Sequence, residues 1–149
     1  MKTRIMGLLG FALGLALGLA SLAAHAEIAQ KFGTLEIHYN ALPTDMLLPE
    51  VARAHKIERS KTRGLVTMSV LRRNAVGGLS PVPARISIFA TNQNRQLTHI
   101  NMREVREGNA IYYLGEFRMA RPDTLQFTAS VETAGEPKRE IVFTQRFYQ

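Results

Sequence analysis

The sequence predicts an all-β domain, for three reasons. Short runs in which apolar and polar side chains alternate recur from residue 34 to residue 148, which is typical of half-buried strands. Clusters of Gly, Pro, Asn and Asp separate these runs, as turns would. One short segment of the domain has the features of a helix. Seven such strands with one short helical turn predict an immunoglobulin-like β-sandwich of about seven antiparallel strands, and a small barrel is the alternative.

The chain begins with the pattern of an export signal. A basic start, residues 1–4, precedes the uncharged run 5–23, and Ala24-His25-Ala26 follows directly. This pattern predicts an N-terminal signal helix cleaved at the motif formed by Ala24 and Ala26, with 1–26 as the signal peptide and 27–149 as a single β-sandwich domain. We therefore expect a periplasmic protein without a stable membrane span after cleavage. Because the run is long and its glycines are spaced as in packed membrane helices, an inner-membrane anchor through residues 5–23 is the alternative.

The first half of the domain contains two predicted strands and the helical turn. Residues 34–40 alternate as a first strand, and residues 48–55 carry Pro and Glu where a helical turn would begin. Residues 65–71 are apolar without a clean period. Such a run is typical of a central strand that is covered on both faces.

The second half contains strands that alternate more clearly. Two prolines at 81 and 83 cannot donate to a ladder, so a strand is expected to begin near Ala84. Alternation over 125–132 and 141–148, with a Gly-Glu-Pro sequence between these runs, predicts a hairpin. We expect the interior of the sandwich to include the aromatic side chains Tyr113, Phe127 and Phe143.

A second hairpin has the strongest local pattern. Gly108-Asn109 tolerates the positive φ that a two-residue turn needs. With that turn, Arg106 lies opposite Ile111 and Glu104 opposite Tyr113. The same register extends to two more pairs, Met102 with Gly115 and Ile100 with Phe117. One face is then apolar and inward, and the other is mixed and partly solvated; the mixed face holds Asn101, Arg103, Val105, Tyr112, Leu114 and Glu116.

Two stretches, residues 51–64 and 103–114, resemble a family of small exported proteobacterial proteins that is classed as a domain of unknown function. The resemblance extends from about Phe32 to Tyr148. It implies an immunoglobulin-like exported domain of about this length. It implies no reaction, ligand or partner, and it carries over no functional residue.

The domain is basic and contains no cysteine. The whole chain has a formal charge of +7; without Lys2 and Arg4, seventeen basic residues remain against twelve acidic ones. An exported protein does not routinely meet nucleic acid, so we expect an envelope protein or an anionic envelope surface as the partner. Without disulfides, apolar packing and hydrogen bonds must stabilise the domain.

Histidine and methionine are the ligands with which an exported β-sandwich can carry copper. The candidates in this chain are His38, His55, His99, Met46, Met68, Met102 and Met119. They do not cluster: His38 and His99 are out of phase with the apolar positions of their strands, and Met68 and Met102 suit the core. We therefore predict no metal site and no cofactor, and keep a periplasmic copper carrier as the alternative function.

The sequence contains no recognisable catalytic pattern. There is no Gly-x-Ser-x-Gly sequence, and Asp45 and Asp123 are the only aspartates. Glu104 and Glu107 lie three residues apart on a predicted strand, so they point to opposite faces and do not form a paired-carboxylate site. We predict that the protein is not an enzyme.

The densest positive run lies between the helical turn and the next strand. Its five basic side chains, against the single acid Glu58, are Arg53, Lys56, Arg59, Lys61 and Arg63. A solvated connection is one interpretation, and contact with an anionic partner is the other. On the hairpin, Arg103 and Tyr112 are candidates for a further contact, although packing between sheets would also bury Tyr112. We predict a non-enzymatic exported binding or accessory domain that recognises another macromolecule or an anionic envelope surface.

The cleavage motif predicts the N-terminus of the exported protein. Because small residues at the third and first positions before the cut satisfy the peptidase, we expect Glu27 as the first residue of the mature chain. N-terminal sequencing of the exported protein checks this. Recovery of a membrane-bound form that retains Met1 would contradict cleavage and favour the anchor.

Overall fold

The computed structural model describes residues 28–148, and the predicted signal peptide lies outside them. In chain order, the elements are β1 (Ile28–Phe32), β2 (Leu35–Pro43), a 3-10 turn (Thr44–Met46), α1 (Pro49–Ala54), β3 (Arg63–Arg73), β4 (Leu79–Pro81), β5 (Arg85–Thr91), β6 (Leu97–Ile100), β7 (Arg103–Glu107), β8 (Ala110–Arg118), β9 (Asp123–Glu132) and β10 (Arg139–Phe147). No helix in residues 28–148 is long and apolar enough to cross a membrane.

The strands form two antiparallel sheets that face each other. The first sheet has the order β1-β2-β3-β8-β7, and β4 also pairs with β3; the second has the order β10-β9-β5-β6. The predicted all-β sandwich of antiparallel strands with a short helical turn is confirmed. Ten strands replace the predicted seven because β1 and β4 were not predicted and because one predicted strand is divided into β6 and β7.

Apolar side chains from both sheets fill the space between them. Phe127 is fully buried, and its ring stacks on Phe143 with centroids 4.8 Å apart. Phe117 contacts Phe127 edge-on, with centroids at 5.3 Å. Tyr113 is buried in the same cluster and its hydroxyl accepts a hydrogen bond of 2.7 Å from the Ala84 amide. The predicted interior position of Tyr113, Phe127 and Phe143 is therefore confirmed.

The hairpin of β7 and β8 has the predicted turn and the predicted register near it. Arg106 pairs with Ile111 and Glu104 with Tyr113, and Gly108 has a φ of 56°. Further from the turn the predicted register is wrong, since Ile100 belongs to β6 and pairs with Ile88 of the second sheet.

The chain changes sheets immediately before β7, and Gly115 permits the crossing. A Cβ atom at Gly115 would lie 2.4 Å from the Met102 sulfur and 2.6 Å from Cγ2 of Ile100. Both side chains therefore pack directly against the backbone of β8. Ile100 is only 1% exposed, so the predicted inward face is correct although the pairing is not.

A second apolar cluster lies on the outer face of the first sheet. The connection from β2 to β3 folds back over this face and contributes apolar side chains that cover Leu65 and Leu114. The cluster consists of Leu42, Leu47, Ala52, Ile57, Leu65 and Leu114, with Val105 and Tyr112 packed against it. The face predicted to be partly solvated is thus largely covered near Leu114, while Arg103 and Asn101 at its border are exposed.

Truncation of Phe127 should destabilise the domain strongly. Phe127→Ala removes a fully buried ring and is expected to lower the unfolding free energy by about 3–5 kcal/mol. Denaturant unfolding midpoints measure the change. Val76→Ala is the control, because Val76 is 92% exposed and its truncation should change stability by less than about 0.5 kcal/mol. An unmoved midpoint for Phe127→Ala would contradict the described core.

Candidate functional site

The positive run lies on the connection that covers the outer face of the first sheet. Helix α1 ends in a Schellman motif, in which the Ile57 amide donates to the Ala52 carbonyl at 2.8 Å and the Lys56 amide donates to the Arg53 carbonyl at 3.2 Å. Ala52 and Ile57 both belong to the second cluster. The apolar residues of the motif thus face the sheet, whereas Arg53 and Lys56 are exposed.

Lys56 occupies the left-handed position of this motif, with a φ of 55°. Glycine is the usual residue there, because a Cβ atom in this conformation costs roughly 1–2 kcal/mol. A lysine at this position is therefore not explained by local backbone preference. Its side chain is exposed and does not belong to the second cluster.

Hydrogen bonds hold the rest of the connection in place at the 3-10 turn after β2 and at the end of β8. The Ser60 amide donates to the Thr44 hydroxyl at 2.9 Å, and the hydroxyl donates to the Ser60 carbonyl at 3.2 Å. The Met119 amide donates to the Thr62 carbonyl at 3.0 Å, which ties the connection to the end of β8. Thr44 is fully buried and Ser60 is half-buried, so this contact is partly shielded from water.

Two of the five basic side chains of the run make structural contacts. Arg59 donates to the Asp45 carbonyl oxygen at 2.8 Å, and the Asp45 carboxylate in turn binds both terminal nitrogens of Arg121. Arg63 lies 3.3 Å from the Glu58 carboxylate and 3.5 Å from that of Glu116. These two arginines help to hold the connection in place.

The other three basic side chains of the run have a different environment. Arg53, Lys56 and Lys61 are exposed and make no hydrogen bond or ion pair through their side chains with any of residues 28–148. The structure adds Arg118, which the sequence did not single out. It is exposed and lies directly opposite Arg63 in the pairing of β3 with β8. We call Arg53, Lys56, Lys61 and Arg118 the cationic surface.

The two hairpin candidates lie at the border of the same connection. Arg103 donates to the His55 carbonyl oxygen, and the His55 ring lies 3.4 Å from the Glu107 carboxylate. Both contacts join β7 to the end of α1. Tyr112 is half-buried against the second cluster. The structure thus brings Arg103 into contact with His55, the residue before Lys56, while Tyr112 packs on the sheet.

The two carboxylates of β7 point to opposite faces, as predicted. Glu107 meets His55 on the outer face, whereas Glu104 accepts hydrogen bonds from Arg106 at 2.6 Å and from the Tyr113 hydroxyl at 3.1 Å. The hydrogen bond from Arg106 lowers the pKa of Glu104, and burial raises the pKa of Tyr113. Glu104 therefore remains ionised and serves to orient Tyr113.

The candidate copper ligands are spread over the domain. His38 lies 3.0 Å from Glu36, His55 lies beside Glu107, and His99 is exposed against the Phe89 ring. The predicted core positions of Met68 and Met102 are confirmed; Met119 is also buried, and Met46 is exposed. Within residues 28–148, no three His, Cys, Asp or Glu residues are grouped so that they could hold a metal ion.

The fold and its surface define a small all-β sandwich domain with a cation-rich connection over one sheet. The chain belongs to the DUF4426 family, a domain of unknown function, whose match covers residues 29–149. It is similar to the crystal structure of a DUF4426 family protein from Pseudomonas aeruginosa PAO1, with 32% sequence identity and a TM-score of 0.69 over 82% of this chain and 94% of that one. No curated protein matches the chain.

The fold is also shared with FetP from uropathogenic Escherichia coli strain F11. The similarity to FetP as isolated after expression in the periplasm has a TM-score of 0.58 and 11% identity, over 82% of this chain and 93% of that one. A copper-bound variant of FetP is similar at a TM-score of 0.58 and 12% identity, over 82% and 95% of the two chains. At these identities the similarity shows a common fold alone.

Proposed function

We propose that the protein is a periplasmic, non-enzymatic binding domain that uses its cationic surface to contact an anionic envelope surface. The observation that carries this proposal is Lys56 in the left-handed position of the Schellman motif. Arg95, in the turn between β5 and β6, also has a positive φ of 61°; Lys56 differs from it because it lies beside other exposed cations that have no partner among residues 28–148. The side chain is exposed beside Arg53, which also has no partner among residues 28–148.

The charge arrangement supports the same function. Arg118 lies directly opposite Arg63, and like charges in opposite positions of a sheet are mildly destabilising. Arg63 is paired within the fold with Glu58 and Glu116, whereas Arg118 has no ion-pair partner among residues 28–148. A negatively charged surface would relieve the repulsion on contact, and it would attract the domain over a distance of about 10 Å at 0.1 M salt.

The ordered backbone beneath the cationic surface also supports the proposed binding function. Three of the four cations project from a connection that is packed on the sheet through Ala52 and Ile57 and hydrogen-bonded through Thr44 and Thr62, and Arg118 lies at the end of β8. A partner therefore meets cations whose backbone is already ordered, and less conformational entropy is lost on binding. Phosphate groups of envelope lipids are the anions that fit an exported domain of this charge.

A periplasmic copper carrier is the second candidate. A copper-bound form of FetP, which has the same fold, supports it. In this chain the described histidines and methionines lie apart, so a carrier function would require ligands that a conformational change or a second molecule brings together. Copper that copurifies in stoichiometric amount with the untagged protein would favour this candidate.

Reversal of the exposed cations should weaken binding without weakening the fold. We expect Arg53→Glu, Lys56→Glu and Lys61→Glu together to abolish retention on vesicles that contain anionic lipid, and retention of the unmodified protein to fall as salt rises. The melting temperature should change little because these side chains are exposed. The control makes the same change in net charge at three exposed cations elsewhere, Arg85, Arg95 and Lys138, and should retain most binding; its Lys138→Glu change also removes an ion pair with Glu132.

The variant Lys56→Gly separates binding from folding, because it should raise the stability of the domain and weaken its binding to vesicles. Glycine removes the Cβ strain and should raise the unfolding free energy by up to about 1 kcal/mol. Loss of the cation should weaken retention on the same vesicles. Equal retention of all variants at every salt concentration would show that the cationic surface is an ordinary solvated face.

A further inference from the structure

Strand β10 is a long sheet edge that has no pairing strand on one side. All nine of its residues pair with β9 in an unbroken register, and no strand among residues 28–148 pairs with its other side. The other edge strands are shorter: β1 and β7 have five residues each, and β6 has four. A long, regular edge presents unpaired backbone groups to another strand.

Strand β10 lacks most of the devices that protect an edge, and its two outward-facing charges, Glu140 and Arg146, have opposite signs and do not repel a second copy of the strand. Proteins usually guard exposed edges with charged side chains, above all lysine, with proline or with bulges. The nine residues of β10 contain no proline, glycine or lysine, and the register with β9 contains no bulge. On its outward face, Val142 is 45% exposed.

We propose that β10 pairs with β10 of a second copy of this chain. The two strands run antiparallel about a two-fold axis through Phe143, so that two four-stranded sheets become one continuous sheet of eight strands. This inference is independent of the cationic surface, which lies on the first sheet.

Charge complementarity determines the centre of the pairing. Glu140 and Arg146 are exposed on the outward face of β10, and neither has an ion-pair partner among residues 28–148. Each lies three residues from Phe143, on opposite sides of it. The two-fold axis therefore pairs Glu140 of each copy with Arg146 of the other, which gives two ion pairs. Opposite charges in such positions stabilise a sheet.

Neighbouring centres do not produce this match. In one continuous sheet, the inward-facing residues of both copies must lie on the same face. A residue of one copy can therefore pair only with a residue of the same face in the other, so the two-fold axis must pass beside a residue that pairs with its own copy. Centring on Val142 places Arg146 opposite the basic Lys138, and centring on Thr144 places Arg146 opposite Val142. Phe143 is thus the centre that the charges favour.

The inward face at this centre is aromatic. The Phe143 ring is half-buried and lies 4.5 Å from the Tyr39 ring and 4.8 Å from the Phe127 ring, measured between centroids. In the pairing it lies opposite Phe143 of the second copy, and aromatic pairs across strands are favourable. A single strand pairing buries less area than a standard interface, so we expect reversible, concentration-dependent association.

Sedimentation velocity of the exported protein tests this proposal at concentrations from about 1 to about 100 µM. We expect a monomer–dimer equilibrium. Glu140→Arg alone and Arg146→Glu alone should each weaken dimerisation by roughly tenfold, because two ion pairs become two repulsive pairs. The double variant with both changes should restore it, since the pairs re-form in exchanged positions.

A second pair of variants separates the β10 edge from any other contact. Val142→Lys should abolish the dimer, whereas Leu97→Lys, on the opposite edge of the same sheet and 64% exposed, should leave it unchanged. Circular dichroism confirms that each variant is folded. A protein that is monomeric over the whole range, or a double variant as weak as the single ones, would overturn the proposal.

Discussion

The burial of Leu65 and Leu114 is the constraint on which the rest of this structure depends. Both side chains point outward from adjacent central strands of the first sheet, away from the sandwich core. Apolar surface in water is unfavourable by roughly 25 cal/mol per Å², so this face needs a cover. The connection between β2 and β3 provides it through Leu47, Ala52 and Ile57. A sandwich of two sheets thus has a partial third layer, and the exposed cations are fixed on that layer.

Close backbone contacts allow both apolar layers to form. A Cβ atom at Gly64 would lie 2.2 Å from Cζ of Phe117, so the outer end of this ring packs directly against the backbone of β3. Gly115 has the same role for Ile100 and Met102 at the crossing between the sheets. The glycines let large side chains approach from inside, while Leu65 and Leu114 on the neighbouring positions are packed from outside.

Local patterns predicted the elements that have local causes. Strict alternation specifies β9 and β10, and the Gly108-Asn109 turn specifies the start of the β7–β8 register. Strands β1 and β4 were not predicted because they are short and take their pairing from β2 and β3. The break between β6 and β7 carries no glycine or proline, and only packing over Gly115 reveals it.

The sequence predicts which residues form the positive run, but it does not predict which of them make structural contacts and which are free to bind a partner. The density of cations in residues 53–63 is visible in the sequence. The division of that group depends on Asp45 and Glu116, which are distant in sequence and bind Arg59 and Arg63. Arg118 enters only through the pairing of β3 with β8. No local signal distinguishes these roles, because tertiary contacts determine them.

The connection between β2 and β3 is packed on the first sheet as part of the folded unit. Amide hydrogen exchange in this connection tests that packing most directly. The amides of Ile57 and Ser60 donate hydrogen bonds within the connection. If the connection is part of the folded unit, their protection should approach that of the Phe127 amide in β9. Exchange as fast as that of the exposed Val76 loop would show that the connection opens independently of the sheet, and would contradict the account.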